Sequence, residues 1–236
     1  MADTRQVVTR LDLQDTNTKL LAIVANMRGA AMACDYEQIT YVGFPFSISE
    51  IFQQRNTNAS QDKAFRMAVE MHDLCTKHKK KLVLYLSMGF GNPYGEMWHP
   101  ALVEHWTDRF ASIGIKTISL SDTIGIAQPE QITDLFTNLT YAFPNTEFGV
   151  HLHSEPHNWL PKVAAAYQSG CRRFDGALSG FGGCPMAQNN LVGNIATENL
   201  IAFMQEHHEG FLIEQDALKH AQMLSIAVFN QALVPN

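Results

Sequence analysis

The residues of this chain whose types and spacing could do chemistry gather between positions 150 and 198. His151-Leu152-His153 closes an apolar-rich run, Glu147-Phe148-Gly149-Val150, that reads as a strand. Side chains alternate along a strand, so the two imidazoles share one face, and neutral imidazoles at that spacing can bind one metal ion side by side. Two ordinary surface or core histidines would look the same. Gly180-Phe181-Gly182-Gly183-Cys184-Pro185 is more specific. Its glycines let the backbone approach a ligand or take positive φ, and the loop presents the Cys184 thiol, which can transfer a proton or form a covalent bond. A turn with an incidental cysteine is the competing reading. Gly193-Asn194-Ile195-Ala196-Thr197-Glu198 follows at the mouth of the next helix. Asn194 offers an amide oxygen to a hard cation, although by itself it reads better as a helix-entry residue. Upstream, Ser121-Asp122-Thr123-Ile124-Gly125 ends another strand on a carboxylate, and Asp122 either holds a ligand or anchors its loop. Arg55-Asn56-Thr57-Asn58 reads as a polar loop after a strand, with Arg55 and Asn58 as candidates for gripping a ligand.

Positioning these groups falls to alternating β and α elements. Strands are expected at 19–25, 38–44, 81–88, 116–121, 147–153 and 172–178, several of them apolar on both parities, as in Leu20-Leu21-Ala22-Ile23-Val24. That pattern fits parallel strands covered on both faces. Helices are expected at 4–11 (with Asp3 as cap), 27–34, 60–78, 100–113, 129–143, 158–169, 197–207 and about 214–233. Ser60 offers an N-cap, Pro129 suits a first turn, and Gly114 and Gly170 suit helix ends. No linker or repeat divides the chain, so one domain is expected over 1–236. No G-x-G-x-x-G follows the first strand, whereas polar residues end many strands: Asn26, Ser87, Asp122, His151 with His153, and Ser179. Active residues drawn from several strand ends are the habit of an α/β barrel of the (β/α)8 TIM type. Only six strands are expected and the chain opens on a helix, so the barrel would lack its first two strands.

The bulk properties bound the partners. A net charge of −6 and a pI near 5.9 argue against a general nucleic-acid binder, which needs a basic footprint. No apolar run approaches the length of a membrane span, and the N-terminus has no apolar signal-peptide core. Cytoplasm is the default compartment, where Cys34, Cys75, Cys171 and Cys184 stay reduced. The first three read as small buried apolar residues.

Taken together, His151-Leu152-His153, the Gly-Phe-Gly-Gly-Cys-Pro-Met-Ala-Gln loop and Gly-Asn-Ile-Ala-Thr-Glu resemble the hydroxymethylglutaryl-CoA lyase family of metal-dependent barrels. Ser121-Asp122-Thr123-Ile124-Gly125, Ser49-Glu50-Ile51-Phe52 through Asn58, and Pro93-Tyr94-Gly95-Glu96 extend the likeness along nearly the whole chain in the right order. The resemblance implies Mg²⁺ or Mn²⁺ held by His151, His153 and Asn194. Cys184 would protonate an acetyl-CoA enolate, His151 would relay protons, and Asp122 would serve the same chemistry. An acyl-CoA substrate would be gripped in part by Arg55 and Asn58, Glu198 would orient Asn194 or its loop, and such barrels commonly pair as homodimers. The reaction implied is a retro-Claisen cleavage of 3-hydroxy-3-methylglutaryl-CoA to acetyl-CoA and acetoacetate. Other readings are an aldolase or Claisen-type synthase of the same superfamily, and a non-catalytic binding protein. The chain departs from the family at Ser154-Glu155-Pro156-His157, and by one extra residue between Cys184 and Asn194. It also has no match to the arginine and aspartate of the family's first strand or the carboxylate of its second. On that pattern the chain by itself is expected to be inactive or nearly so.

Overall fold

The computed structural model describes residues 3–183, 192–210 and 213–232. Helices and strands alternate along the chain: α1 (Thr4–Arg10), β1 (Leu20–Ile23), α2 (Met27–Cys34), β2 (Ile39–Ser47), α3 (Glu50–Thr57), α4 (Gln61–Lys77) and β3 (Lys81–Ser87). There follow α5 (Pro100–Ser112), β4 (Thr117–Asp122), α6 (Pro129–Ala142), β5 (Glu147–Leu152), α7 (Trp159–Gln168), a short 3-10 turn (Leu178–Gly180), α8 (Thr197–Glu206) and α9 (Gln215–Ala232). The strands form an α/β parallel sheet in the order β1-β2-β3-β4-β5. Residues Tyr41–Ser47 of β2 run in unbroken register with Lys81–Ser87 of β3. All residues of β3 after Lys81, and all of β4, are buried, as expected of strands covered on both faces. Among the described residues no helix is long and apolar enough to cross a membrane.

Local chemistry explains most element ends. Asn26, Ser49 and Ser60 cap α2, α3 and α4, their side chains accepting from the N–H groups of Gly29, Phe52 and Lys63. Pro129 opens α6, and Gly114 and Gly170 follow helices with φ of +92° and +95°. Asp3 flanks α1 without a side-chain cap bond. Along α4 the buried residues are Ala64, Ala68, Met71 and Cys75, one stripe at helical spacing. Cys34 and Cys171 are buried as well, and burial pushes the Cys75 and Cys171 thiols up to about 12, so all three act as packing residues.

Two sequence-based expectations need correction. Residues 55–57 are not a loop: they are the last turn of α3, which ends on Asn58 in the left-handed region at φ 52°. The helix buries only Phe52 and Gln53, so it carries no apolar stripe to announce it. The expected strand at 172–178 is not a strand either. The segment bridges Val150 through Phe174, then passes Gly176 and bridges Ala196 through Ala177. Changing partner midway leaves two isolated bridges instead of a ladder.

The chain forms two compact units interleaved in sequence. The first comprises Met1–Ser87, Pro100–Ser119 and Phe143–Glu147. Its core is aromatic: Phe46 of β2 lies 4.4 Å from Trp106 and 4.8 Å from Phe110, and Phe110 lies 5.2 Å from Phe65. Arg109 lies over the Phe65 ring at 4.0 Å. The second unit comprises Met88–His99, Leu120–Ala142 and Phe148–Asn236. There α6 packs on α7, burying Ile132, Leu135, Phe136 and Leu139 together with Val163 and Ala166. Removing the Phe46 ring, which is fully buried, leaves a cavity against Trp106 and Phe110. Phe46→Ala is expected to destabilise the protein by about 3–5 kcal/mol, read from the urea unfolding midpoint.

Candidate functional site

His151 lies in β5 and His153 just beyond its end. Their rings stand 5.2 Å apart between centroids, on the shared face that the spacing implied. Each ring is oriented through Nδ1. His151 Nδ1 lies 3.2 Å from Asp175 Oδ2, and His153 Nδ1 lies 3.1 Å from the Val192 carbonyl oxygen. A carboxylate or carbonyl on Nδ1 fixes the tautomer and leaves Nε2 as the ligating nitrogen, an arrangement common behind metal-binding histidines. His153 is 4% exposed. Burial pushes its imidazole below the ordinary value of 6.5, the neighbouring His151 adds to this, and the Val192 carbonyl opposes it. The ring is therefore neutral at pH 7, the form a metal requires.

Asn194 joins the pair through the backbone. It bridges His153 in antiparallel fashion, and Ser154 N–H donates to the Gly193 carbonyl at 3.0 Å. The helix-entry reading of Asn194 does not hold, because α8 begins only at Thr197 and its flanking residue is Ala196. The side chain instead donates from Nδ2 to the Phe181 carbonyl at 2.9 Å, which leaves Oδ1 as its acceptor for a cation. This contact explains the glycines. At Gly182, with φ +99°, a Cβ would fall 2.9 Å from Asn194 Nδ2, and at Gly180, with φ +68°, 2.9 Å from the Asn194 carbonyl oxygen. The loop is glycine-rich so that Asn194 can lie against it. Glu198 holds the preceding turn: Ser179, itself at φ 56°, donates its N–H to both carboxylate oxygens at 2.8 and 3.0 Å. Burial works to raise the Glu198 carboxyl, but hydrogen bonds from Gln222, from its own backbone N–H and from Ser179 outweigh it and hold the group below 4.5. Cys184 lies outside the described residues.

Asp122 closes β4 at 1% exposure. Its Oδ1 accepts from Ile126 N–H at 2.9 Å, and Oδ2 accepts from Ala127 N–H at 3.1 Å and from Lys162 Nζ at 2.8 Å. Of the two roles open to it in the sequence, the geometry carries the loop anchor. Three donors thus hold the carboxylate against the loop and Lys162. Lys162 and Asp175 escaped sequence reasoning. Lys162 had a signal, as the one charge within Leu160-Pro161-Lys162-Val163-Ala164-Ala165-Ala166, a stretch that buries one side of its helix. Asp175 had none short of knowing that Phe174 bridges Val150 and so brings its neighbour beside His151.

Two clefts accompany these groups, one in each unit. In the second unit a cavity of about 410 Å³ is lined by Ser154, Glu155, Trp159, Gly180, Asn194 and Asn199, among others. In the first unit a cleft of about 690 Å³ is lined by residues including Asn26, Arg55, Asn58, Lys63, Arg66 and Glu70. Arg55 and Asn58 therefore share one concave surface with two further cationic side chains, Lys63 and Arg66. Such a surface suits a polyanionic ligand.

Among the described residues no three His, Cys, Asp or Glu side chains converge on a metal position. The donor set of His151, His153 and Asn194 is two imidazole nitrogens and one amide oxygen, all neutral. It fits a divalent cation whose remaining coordination is oxygen, with the anionic share supplied by carboxylate or substrate.

The sequence profile of the HMGL-like family matches residues 1–229. The chain belongs to the HMGL-like family. Within it, the chain is 32% identical over 181 residues to the mitochondrial hydroxymethylglutaryl-CoA lyase of Bos taurus, covering 76% of this chain and 54% of that protein. It is 30% identical over 185 residues to hydroxymethylglutaryl-CoA lyase YngG of Bacillus subtilis, covering 78% and 61%. The chain thus spans a little over half the length of these relatives. The crystal structure of the Bacillus subtilis HMG-CoA lyase superposes with a TM-score of 0.88 at 26% identity, over 98% of this chain and 76% of that one. An HMG-CoA lyase from Acinetobacter baumannii in complex with coenzyme A and 3-methylmalate gives 0.86 at 26% identity, over 97% and 73%. The carboxyl transferase domain of Rhizobium etli pyruvate carboxylase, at 13% identity and a TM-score of 0.61, shares the fold alone. These neighbours bear out the TIM-barrel class expected from the strand-end residues.

Two outcomes test the HMGL-like site. Gly182→Ala forces a side chain onto Asn194 and into the left-handed region, and is expected to cost about 1–2 kcal/mol of stability by calorimetry. It should weaken Mn²⁺ binding, followed by electron paramagnetic resonance, in the same variant. The second concerns pH. Because folding holds His153 below 6.5, its contribution to stability is complete above pH 6.5 and declines as pH falls, where the unfolded chain takes up a proton that the folded chain refuses. Urea titrations of the metal-free protein across about pH 7.5 to 5.5 should show this decline, and His153→Gln should remove it.

Proposed function

We propose that the protein is a carbon–carbon lyase that cleaves 3-hydroxy-3-methylglutaryl-CoA to acetyl-CoA and acetoacetate. The observation that carries this reading is the pairing of His151 and His153 with Asn194 in a chain whose HMGL-like match runs over residues 1–229. Both relatives named above, and the Bacillus subtilis and Acinetobacter baumannii structures, are themselves hydroxymethylglutaryl-CoA lyases, which supports the substrate class. The acyl-CoA reading of the cationic cleft draws further support from the Acinetobacter baumannii protein, which was solved with coenzyme A.

The residues divide the work as follows. His151, His153 and Asn194 would hold Mg²⁺ or Mn²⁺. When bound, the cation would supply Lewis acidity at substrate oxygens. His151, with its ring fixed through Nδ1 by Asp175, is the proposed relay for the tertiary hydroxyl proton. As the hydroxyl becomes a ketone, the bond to the thioester-bearing carbon breaks, and its electron pair passes into the acetyl-CoA enolate. Cys184 is the proposed acid, delivering a proton to the enolate carbon and completing acetyl-CoA. Asp122 keeps the loop over 123–127 in place. Arg55, Asn58, Lys63 and Arg66 are the proposed grip on the phosphates of the coenzyme.

The test is a product assay on the full chain with 3-hydroxy-3-methylglutaryl-CoA and Mn²⁺. Acetyl-CoA and acetoacetate released in equal amounts, however slowly, with loss of the signal on chelation, is the expected result. His153→Ala should lower the rate by about a hundredfold or more. Arg55→Ala should raise KM more than it lowers kcat, since it removes a grip on the coenzyme and none on the reacting carbons. Consumption of acetyl-CoA in place of its release would favour a Claisen-type synthase, and thioester binding without any cleavage would overturn the lyase reading.

A further inference from the structure

Lys162 has no role in the function proposed above, yet the residue is 3% exposed and its ammonium donates to three oxygens. These are Asp122 Oδ2 at 2.8 Å, the Gly125 carbonyl at 2.8 Å and the His153 carbonyl at 2.9 Å. The three acceptors account for all the protons of an ammonium. The last two contacts close a circuit. From Lys162 the path runs to the His153 carbonyl, then through the same residue's ring to the Val192 carbonyl, which the Nδ1 atom meets at 3.1 Å. The Val192 side chain presses on Gly125, where an added Cβ would fall 2.8 Å from Val192 Cγ1. Gly125, at φ +74°, returns its carbonyl to Lys162. Both the main chain and the ring of His153 are thus tied to the same loop by way of one ammonium.

We propose that Lys162 is a positioning residue for metal binding: its ammonium, neutralised by Asp122, locks the backbone and ring of His153 into the ligating orientation. The proposal rests on the reading of His153 as a metal ligand. Lys162 touches neither metal nor substrate in this arrangement. Its effect passes through the His153 carbonyl on one side and through Gly125 and Val192 on the other.

The alternative is that the Lys162–Asp122 pair only stabilises the fold, and two variants separate the ideas. Lys162→Met leaves Asp122 buried and uncompensated, which lowers stability for that reason alone. The double variant Asp122→Asn with Lys162→Met removes both charges and relieves that penalty, while the bonds to His153 and Gly125 stay broken. The full chain is titrated with Mn²⁺ by electron paramagnetic resonance, and the His153 Nδ1–H signal is followed in the metal-free protein by ¹H–¹⁵N spectroscopy. The double variant is expected to be folded, to bind Mn²⁺ about tenfold or more weakly than the unaltered chain, and to shift or lose the Nδ1–H signal. A double variant that binds within about twofold and keeps the signal overturns the proposal and leaves a purely structural ion pair. If the double variant also fails to fold, Lys162→Gln, which retains an N–H donor and lacks the charge, is judged by the same two readouts. If the unaltered chain binds no Mn²⁺, or His153→Ala binds it equally well, the metal reading itself fails. The Nδ1–H signal then decides alone whether Lys162 positions the ring.

Discussion

An ammonium taken out of water persists in a protein only where oxygen surrounds it, and Lys162 meets that condition by gathering three acceptors from two stretches of chain, the end of β4 with its loop and the end of β5. Breaking one partner of such a buried pair costs about 3–5 kcal/mol, because the remaining charge has no solvent to return to. The arrangement is therefore stiff, and the stiffness is where the candidate site gains its order. The loop after β4 is pinned at Asp122, the end of β5 is pinned at His153, and both pins meet at one nitrogen. A ligand histidine must keep its ring within a narrow range of orientations to bind well. At His153 the main chain and the ring each have a hydrogen-bond partner.

The glycine-rich loop follows the same logic from the opposite side. Asn194 can face a cation only if its amide is turned by the Phe181 carbonyl and if its backbone lies against Gly180 and Gly182. Side chains at those two positions would push the asparagine away. Glu198 then fixes the loop's entry by accepting from Ser179, whose left-handed backbone would otherwise be a source of strain. The site's neutral donors are thus each held by a different kind of support: a carboxylate for His151, carbonyl oxygens for His153 and Asn194.

The alternation of elements was legible in the sequence because its cause is local. Apolar runs on both parities mark buried parallel strands, and the stripe of Ala64, Ala68, Met71 and Cys75 marks the face of α4. Where the cause is not local, legibility ended. Helix α3 is too polar to show a period, and the segment after Cys171 divides its hydrogen bonds between Val150 and the chain near Ile195, partners distant in sequence. The site divided in the same way. His151 and His153 stand two apart on one strand, so their common face is a property of the strand, and the HMGL-like motifs that frame them are contiguous words in the chain.

By itself, then, the sequence determined the order of helices and strands, the donor types, and the family to which those donors belong. Each follows from neighbours within a few residues or from motifs read in place. Only the tertiary structure decided that Asp175 stands behind His151, that Asn194 is a partner of His153 instead of a helix cap, and that Asp122 anchors a loop. It alone showed Lys162 buried among three oxygens. Those outcomes depend on which groups are desolvated together, and desolvation is set by packing between segments far apart in the chain, which no local pattern encodes.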